Sequence, residues 1–289
     1  MLCEYSILPP EYSILPPEYS VLLPVRFDES PDHLDAALKS VLGQTVPAKE
    51  IIVIIDGDPS EALMRLTDAY SDRSEIRTVV IPKKQSLGAV LNVGLTYVDT
   101  PLIMRMDSDD ISLPYRAEIL LGMFASSDDR ESPAAVGTQI EEFSEDGEGA
   151  VRCVPLAHAE IVKTAKHRNP MNHVTVMLRA DALRAVGGYP EIPGFEDYCL
   201  WGRLIAAGYR LENHCNITVR VRTDGFCRRR GGIQYFKHTI EAERYLHRLG
   251  IVSSAAKAVN LVSRFVLEVM APPSLRGLIY RRFLRWKPH

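Results

Sequence analysis

The sequence predicts an α/β protein built on a doubly wound, mostly parallel sheet with a helical C-terminal extension. Three observations carry this expectation. The apolar runs Ser20–Val25 (SVLLPV) and Ile51–Ile55 (IIVII) are continuous rather than alternating, as strands covered on both faces require. Segments of helical period separate such runs in regular alternation through the first half of the chain. The handedness of parallel crossovers then winds a βαβαβαβ chain around one sheet.

Each element has its own justification. Ser30-Pro31 supplies an N-cap and a first-turn proline to a helix that carries Leu34, Ala37, Leu38, Val41 and Leu42. After the second strand come a helix near Ala62–Tyr70, a strand near Thr78–Ile81, a helix near Leu87–Val98 and a strand at Leu102–Met106. Beyond about residue 130 the alternation loosens. Strands are expected at Ala134–Phe143, Val174–Leu178 and Ile217–Val221, and helices at Ala180–Val186 and Asp197–Ala207. From Gln234 onward the pattern is helical, interrupted at Pro272-Pro273.

The N-terminus repeats itself: Glu4–Pro10 and Glu11–Pro17 both read EYSILPP, and Glu18–Pro24 reads EYSVLLP. Paired prolines lack ladder donors and restrict their predecessors, so the first two copies read as a disordered arm over 1–17. A duplicated segment without a role is preferred over a binding arm. The remaining organisation is 18–130, 131–233 and a helical, basic extension at 234–289, with one sheet continuing across the first boundary.

Composition excludes several classes. The 289 residues are 46% hydrophobic and 25% charged, and 34 basic residues against 37 acidic ones give a formal net charge of -3. No basic excess points to nucleic acid as a partner. Five scattered cysteines without a C-x-x-C pair argue against a zinc ribbon or disulfide framework and fit a reducing cytoplasm. No run approaches the length of a membrane span, and no basic-then-apolar leader opens the chain.

Chemistry concentrates at predicted strand ends. Arg105-Met106-Asp107-Ser108-Asp109-Asp110 sets three carboxylates directly after a buried strand, where open α/β sheets bind ligands. Crowded carboxylates call for a cation, and Mg²⁺ or Mn²⁺ takes such oxygen ligands while leaving positions for phosphate. A solvated loop capping a helix near Leu113 is the plainer alternative. Asp56 ends the second strand in Ile55-Asp56-Gly57-Asp58, where an acid can accept from a nucleobase or a ribose hydroxyl, although Asp-Gly is also a common turn pair. Asn92 sits inside a helical pattern, and a plain solvent-facing amide is its alternative.

These segments together resemble a known family. Pro24-Val25-Arg26, Glu50–Gly57 (EIIVIIDG), Gly88–Gly94 (GAVLNVG) and Arg105–Asp110 (RMDSDD) are similar, in order and spacing, to glycosyltransferase family 2, inverting enzymes of GT-A fold. The resemblance runs from about residue 20 to 235. It implies a nucleotide-sugar-binding half at 18–130 and an acceptor-binding half at 131–233. Donor-binding residues would be Pro24, Val25, Arg26, Asp56, Asn92 and Asp107, with metal on Asp107 and Asp109 and Asp110 in support. The family commonly has Asp-Asp-Gly at the second strand, and Ile55 replaces the first acid here.

In the second half, Glu196 and Asp197 open a predicted helix, where the dipole favours acids. Inverting transfer needs a group to take the proton of the attacking hydroxyl, and the resemblance implies Asp197 for that role with Glu196 orienting. His173 reads either as a substrate contact or, preferably, as a hydrogen-bonded structural residue. Val186-Gly187-Gly188-Tyr189 reads as a helix-terminating glycine turn, like the Gly-Gly-Tyr before the family's catalytic helix. Arg220, Arg222 and Arg228–Arg230 followed by Gly231-Gly232 suit a loop closing on a diphosphate, through Arg229 and Arg230, and equally a solvated basic loop or a contact with anionic lipid. Many members carry Arg-x-His there, whereas this chain has Arg222-Thr223-Asp224.

The last segment, Arg276–Lys287, interleaves five basic residues with Leu, Ile, Tyr, Phe and Trp, a pattern read preferably as an interfacial helix on anionic lipid, with a helix packed on the domain or a partner contact as the alternatives. The expected function is a metal-dependent inverting glycosyltransferase. It would use a nucleotide-diphosphate sugar, UDP-linked, and a polyisoprenyl-diphosphate-linked saccharide acceptor in surface polysaccharide synthesis, peripheral on the cytoplasmic face of the inner membrane. Two alternatives remain at this stage. A nucleotidyltransferase would want a glycine- and base-rich loop after the first strand, and Phe27-Asp28-Glu29 does not supply one; a non-catalytic nucleotide-sugar-binding subunit is the other.

Overall fold

The computed structural model describes residues 17–125, 132–144, 147–223 and 231–272. The first two copies of the repeat up to residue 16, the Arg228–Arg230 loop and the tail from 273 lie outside them. The third copy enters β1 (Tyr19–Arg26). The chain continues through α1 (Pro31–Leu42), β2 (Glu50–Asp56), α2 (Glu61–Ala69), β3 (Ile76–Ile81), α3 (Leu87–Leu95) and β4 (Leu102–Arg105), in the alternation expected. Ser60 and Ser86 cap α2 and α3, their hydroxyls accepting from Leu63 N at 3.2 Å and Ala89 N at 3.3 Å.

Next come β5 (Ile111–Ser112), α4 (Arg116–Ala125), β6 (Ala135–Ser144), β7 (Gly147–Arg152) and α5 (His158–Ala165). They are followed by β8 (Met177–Arg179), α6 (Ala180–Ala185), α7 (Glu196–Ala206), β9 (Leu211–Arg222), α8 (Ile233–Arg248) and α9 (Ser254–Phe265), which ends in a π-helical turn, Val266–Met270. The strands form one sheet in the order β3-β2-β1-β4-β8-β6-β9-β5, with β7 pairing β6. Pairs β1–β2, β1–β4, β2–β3 and β6–β9 are parallel, while β8 runs antiparallel to β4 and β6. One sheet runs uninterrupted from β3 at one edge to β5 at the other.

The continuous apolar runs have a direct explanation. Leu22, Ile52 and Ile54 point to one face and pack beneath α3, α6 and α7, while Val21, Leu23, Ile51, Val53 and Ile55 point to the other, beneath α1 and α4. With both faces covered, polar alternation would bury unpartnered groups. Each such Leu or Ile contributes roughly 1.5–3 kcal/mol on burial. A smaller cluster, Ile192, Phe195, Tyr198 and Cys199 against Ala242, Leu246 and Val252, docks the C-terminal helices onto α7.

The segment expected as one strand at 174–178 is instead a 3₁₀ turn, His173–Thr175, followed by β8. Polar side chains cause the break. The Thr175 hydroxyl donates to Asn172 O at 2.8 Å and accepts from Thr138 N at 2.9 Å, and Asn172 Nδ2 donates to Thr138 O at 2.8 Å. These bonds offer the backbone an alternative to the ladder. Cys153, Cys199 and Cys215 are free thiols. No helix among the described residues is long and apolar enough to cross a membrane.

Candidate active site

Because β1, β2 and β4 are parallel, their C-terminal ends emerge along one sheet edge, with Arg26 in register with Asp56. A cleft of about 500 Å³ opens there. Pro24, Val25 and Arg26 line it from β1, Asp56 from β2, Asp107, Asp109 and Asp110 from the turn after β4, and Glu196 and Asp197 from α7. Asp56 is nearly buried, and its Oδ1 accepts from Gln85 N at 2.8 Å. The Arg26 guanidinium forks onto Asp28 at 2.9 and 2.7 Å.

The acidic turn is held from behind by two buried arginines. Arg116, wholly buried, donates to Arg105 O at 2.5 Å and to Val174 O at 2.7 Å, tying the end of β4 to the 3₁₀ turn. Arg105 pairs with Asp107 at 2.5 Å. Burial disfavours the Arg105 charge, yet Asp107 and its hydrogen bond raise the guanidinium above its ordinary value.

Asp107, Asp109 and Asp110 each offer a carboxylate oxygen, all within 4.8 Å of one another. Asp110 is buried: its Oδ1 accepts from Arg222 N at 2.8 Å, and its Oδ2 has no partner. Burial, reinforced by Asp107 and Asp109, pushes its carboxyl well above the usual range. Three clustered acids with an unsatisfied buried oxygen fit a hard divalent cation such as Mg²⁺ or Mn²⁺, which takes oxygen ligands and relieves the repulsion.

Across the cleft, the turn through Gly194, at φ +77°, leads into α7. Glu196 is buried with Oε2 unpartnered, and burial together with neighbouring Asp197 pushes it up to about 7. Asp197 is oriented at both oxygens: Oδ1 accepts from Tyr198 N at 2.7 Å and Oδ2 from Asn169 Nδ2 at 2.5 Å. His173 lies between Tyr189 and Trp201, at ring distances of 5.5 and 6.1 Å. Burial, and then Arg105, push it well below its ordinary value, which favours the neutral imidazole.

One donor-binding candidate lies elsewhere. The Asn92 carboxamide is committed to a backbone clamp, donating to Tyr189 O at 2.9 Å and accepting from Tyr189 N at 2.7 Å, and it does not line the cleft. It fixes the turn at Gly187 and Gly188, whose φ values of +82° and +73° are those that favour glycine. Arg220 turns away to Glu141 at 3.1 Å, whereas Arg222 lines the cleft. Arg229 and Arg230 lie outside the described residues.

The chain's residues 20–203 match the sequence model of Glycosyl transferase family 2. The chain belongs to glycosyltransferase family 2. Among the relatives of this family 2 protein is the Escherichia coli UDP-Gal:alpha-D-GlcNAc-diphosphoundecaprenol beta-1,3-galactosyltransferase, 32% identical over 89% of this chain and 93% of that one. The amylovoran biosynthesis glycosyltransferase AmsE of Erwinia amylovora is 31% identical over 88% and 94%. Among solved structures, a mannosyltransferase from Pyrobaculum calidifontis in complex with GDP-Man and Mn²⁺ shares the fold, with a TM-score of 0.62 at 14% identity over 93% of this chain and 81% of that one.

Several cleft residues of this family 2 chain escaped the sequence reading. Glu29 accepts from the Ser108 hydroxyl at 2.9 Å and so braces the acidic turn. Lys84 lines the cleft with its ammonium 5.5 Å from the Phe27 ring. Asn169 was within reach, because Asn169-Pro170 is a turn pair, but its partner Asp197 lies 28 residues away. A second cleft of about 370 Å³ shares Asp107, His173, Asp197 and Tyr235 with the first and continues past Asn169 to Arg264 and Glu268.

Proposed function

We propose that the chain is an inverting, metal-dependent glycosyltransferase. It moves a hexose or N-acetylhexosamine from a UDP-sugar to a hydroxyl of a polyisoprenyl-diphosphate-linked saccharide during bacterial surface polysaccharide synthesis. The observation that carries this reading is the convergence of Asp56, Asp107 and Asp197, from three separate segments, on one cleft. The diphosphoundecaprenol acceptor in one relative's name and the amylovoran role in another's support the acceptor class.

In this reading Asp56 accepts from the nucleoside, and Asp107 and Asp109 hold the cation, with Asp110 behind them. A bound divalent cation supplies charge neutralisation at the departing diphosphate. The acceptor oxygen bonds to the anomeric carbon as the bond from that carbon to the diphosphate oxygen breaks. The leaving nucleoside diphosphate keeps that electron pair, and the hydroxyl proton passes to the Asp197 carboxylate. Displacement from the opposite face inverts the anomeric centre. Asn169 and the Tyr198 amide hold the base in one orientation, so little reorganisation accompanies proton transfer.

The test is a panel of UDP-, GDP- and dTDP-sugars with Mn²⁺ and an undecaprenyl-diphosphate-linked monosaccharide, reading release of nucleoside diphosphate with EDTA as control. EDTA-sensitive, acceptor-dependent release from a UDP-sugar is expected. Binding of a donor without turnover on any acceptor would instead identify a non-catalytic subunit.

A further inference from the structure

The helix formed by α9 and its π-helical turn separates two environments. Its inner side is polar and partnered: Asn260 is buried and donates to Lys166 O at 2.9 Å and to Glu243 at 3.2 Å. Ser263, Arg264, Leu267 and Glu268 line the second cleft, so this helix is one wall of it. The outer side is apolar. Val259, Val262 and Met270 are 66%, 67% and 67% exposed, Val266 is 50% exposed, and Phe265 stands beside them at 38%. Ala255 and Ala258 continue the row, and α9 contains no acidic residue.

A row of large aliphatic side chains turned to water over several helical turns marks an interaction surface rather than ordinary surface variation. Two features choose its occupant. The chain leaves this helix at Pro272 and continues through residues 273–289 with Arg276, Arg281, Arg282, Arg285 and Lys287, no acid, and apolar and aromatic residues between them. An apolar helix face followed in the sequence by a segment whose charged residues are all basic complements a bilayer with anionic headgroups, which offers hydrocarbon and negative charge side by side. The other wall of the same helix belongs to the cleft that contains Asp197.

We propose that the face formed by Val259, Val262, Val266 and Met270 seats the protein on an anionic lipid bilayer, which sets the second cleft beside the membrane. The lipid contact itself stands on the exposed face and the basic segment. Its consequence, delivery of a membrane-held acceptor to Asp197, rests on the function proposed above.

The experiment is co-sedimentation of the full chain with vesicles of phosphatidylethanolamine and phosphatidylglycerol, and with vesicles of phosphatidylcholine alone. Wild type is expected to partition at least tenfold more strongly onto the anionic vesicles. The double variant Val262→Glu/Val266→Glu is expected to lose at least tenfold of that binding while keeping its far-UV circular dichroism and its turnover of donor with a water-soluble acceptor. Undiminished binding by the variant would overturn the proposal, because the basic segment would then act alone. So would a wild-type dimer, seen by sedimentation velocity, that the same variant splits without any vesicle binding in either protein, since the face would then join two copies. Absence of donor turnover with vesicle binding intact would refute the catalytic reading and leave the membrane face standing.

Discussion

Asn169 Nδ2 donates to Asp197 Oδ2 at 2.5 Å, while Asn169 Oδ1 accepts from Met171 N at 3.3 Å, so the asparagine is itself held in place as it holds the acid. The two residues come from a loop before the 3₁₀ turn and from the first turn of α7. Together with the Tyr198 amide on the other oxygen, their contact gives the Asp197 carboxylate a single orientation in the cleft.

Asn169→Ala is therefore expected to lower kcat by about 10- to 100-fold, the value of a hydrogen bond to a charged group, with the KM for donor changed less than threefold. Steady-state kinetics check this. An equal loss in donor affinity would mean that Asn169 serves the loop rather than Asp197.

Asp197→Asn keeps the size of the side chain but removes the carboxylate proposed as proton acceptor and replaces one of its two accepting oxygens by an amide donor. Turnover is expected to fall roughly 10²- to 10⁴-fold, the usual contribution of a positioned base. Donor affinity, measured by calorimetry with the UDP-sugar, is expected to stay within threefold of wild type. Full-rate transfer by this variant would remove Asp197 from the mechanism.

Glu196 gives a pH prediction with a definite sign. Its carboxyl is raised from 4.5 to about 7 by burial and by Asp197, so between those values the folded protein holds a proton that the unfolded chain has released. Stability from this group is present below pH 4.5 and is lost as pH rises through 7, by up to about 3 kcal/mol. Urea unfolding at pH 5 and pH 8 is expected to show this decline in wild type, and Glu196→Gln is expected to reduce it.

Arg116 is a stability residue for the acidic turn. Arg116→Met keeps much of the volume but strips the partner from the carbonyls of Arg105 and Val174. The expected loss is roughly 2–5 kcal/mol in denaturant unfolding, from two buried acceptors left unsatisfied. Turnover should fall with it, because the turn carrying Asp107–Asp110 is anchored there.

The acidic cluster predicts metal-linked stabilisation. Millimolar Mn²⁺ is expected to raise the melting temperature of wild type, since a ligand bound only by the folded state stabilises it. Asp109→Ala is expected to abolish the rise. A shift of equal size in the variant would place the ion elsewhere.

The sequence by itself determined the first half of the molecule almost element by element. Runs such as Ile51–Ile55 are legible because burial on both faces leaves no polar alternation, and strand ends in a parallel sheet place Asp56 and Asp107 at one edge whatever the details of packing. Only the tertiary structure decided what lies across long sequence separations. It took Asn92 away from the cleft by folding Tyr189 onto it from 97 residues away. It turned the β-branched Val174-Thr175 into a 3₁₀ turn through bonds to Thr138, and it paired Asn169 with Asp197. Local propensity and periodicity report on neighbours along the chain. A side-chain amide or hydroxyl takes its role from the partner that packing delivers, and only the folded chain fixes that partner.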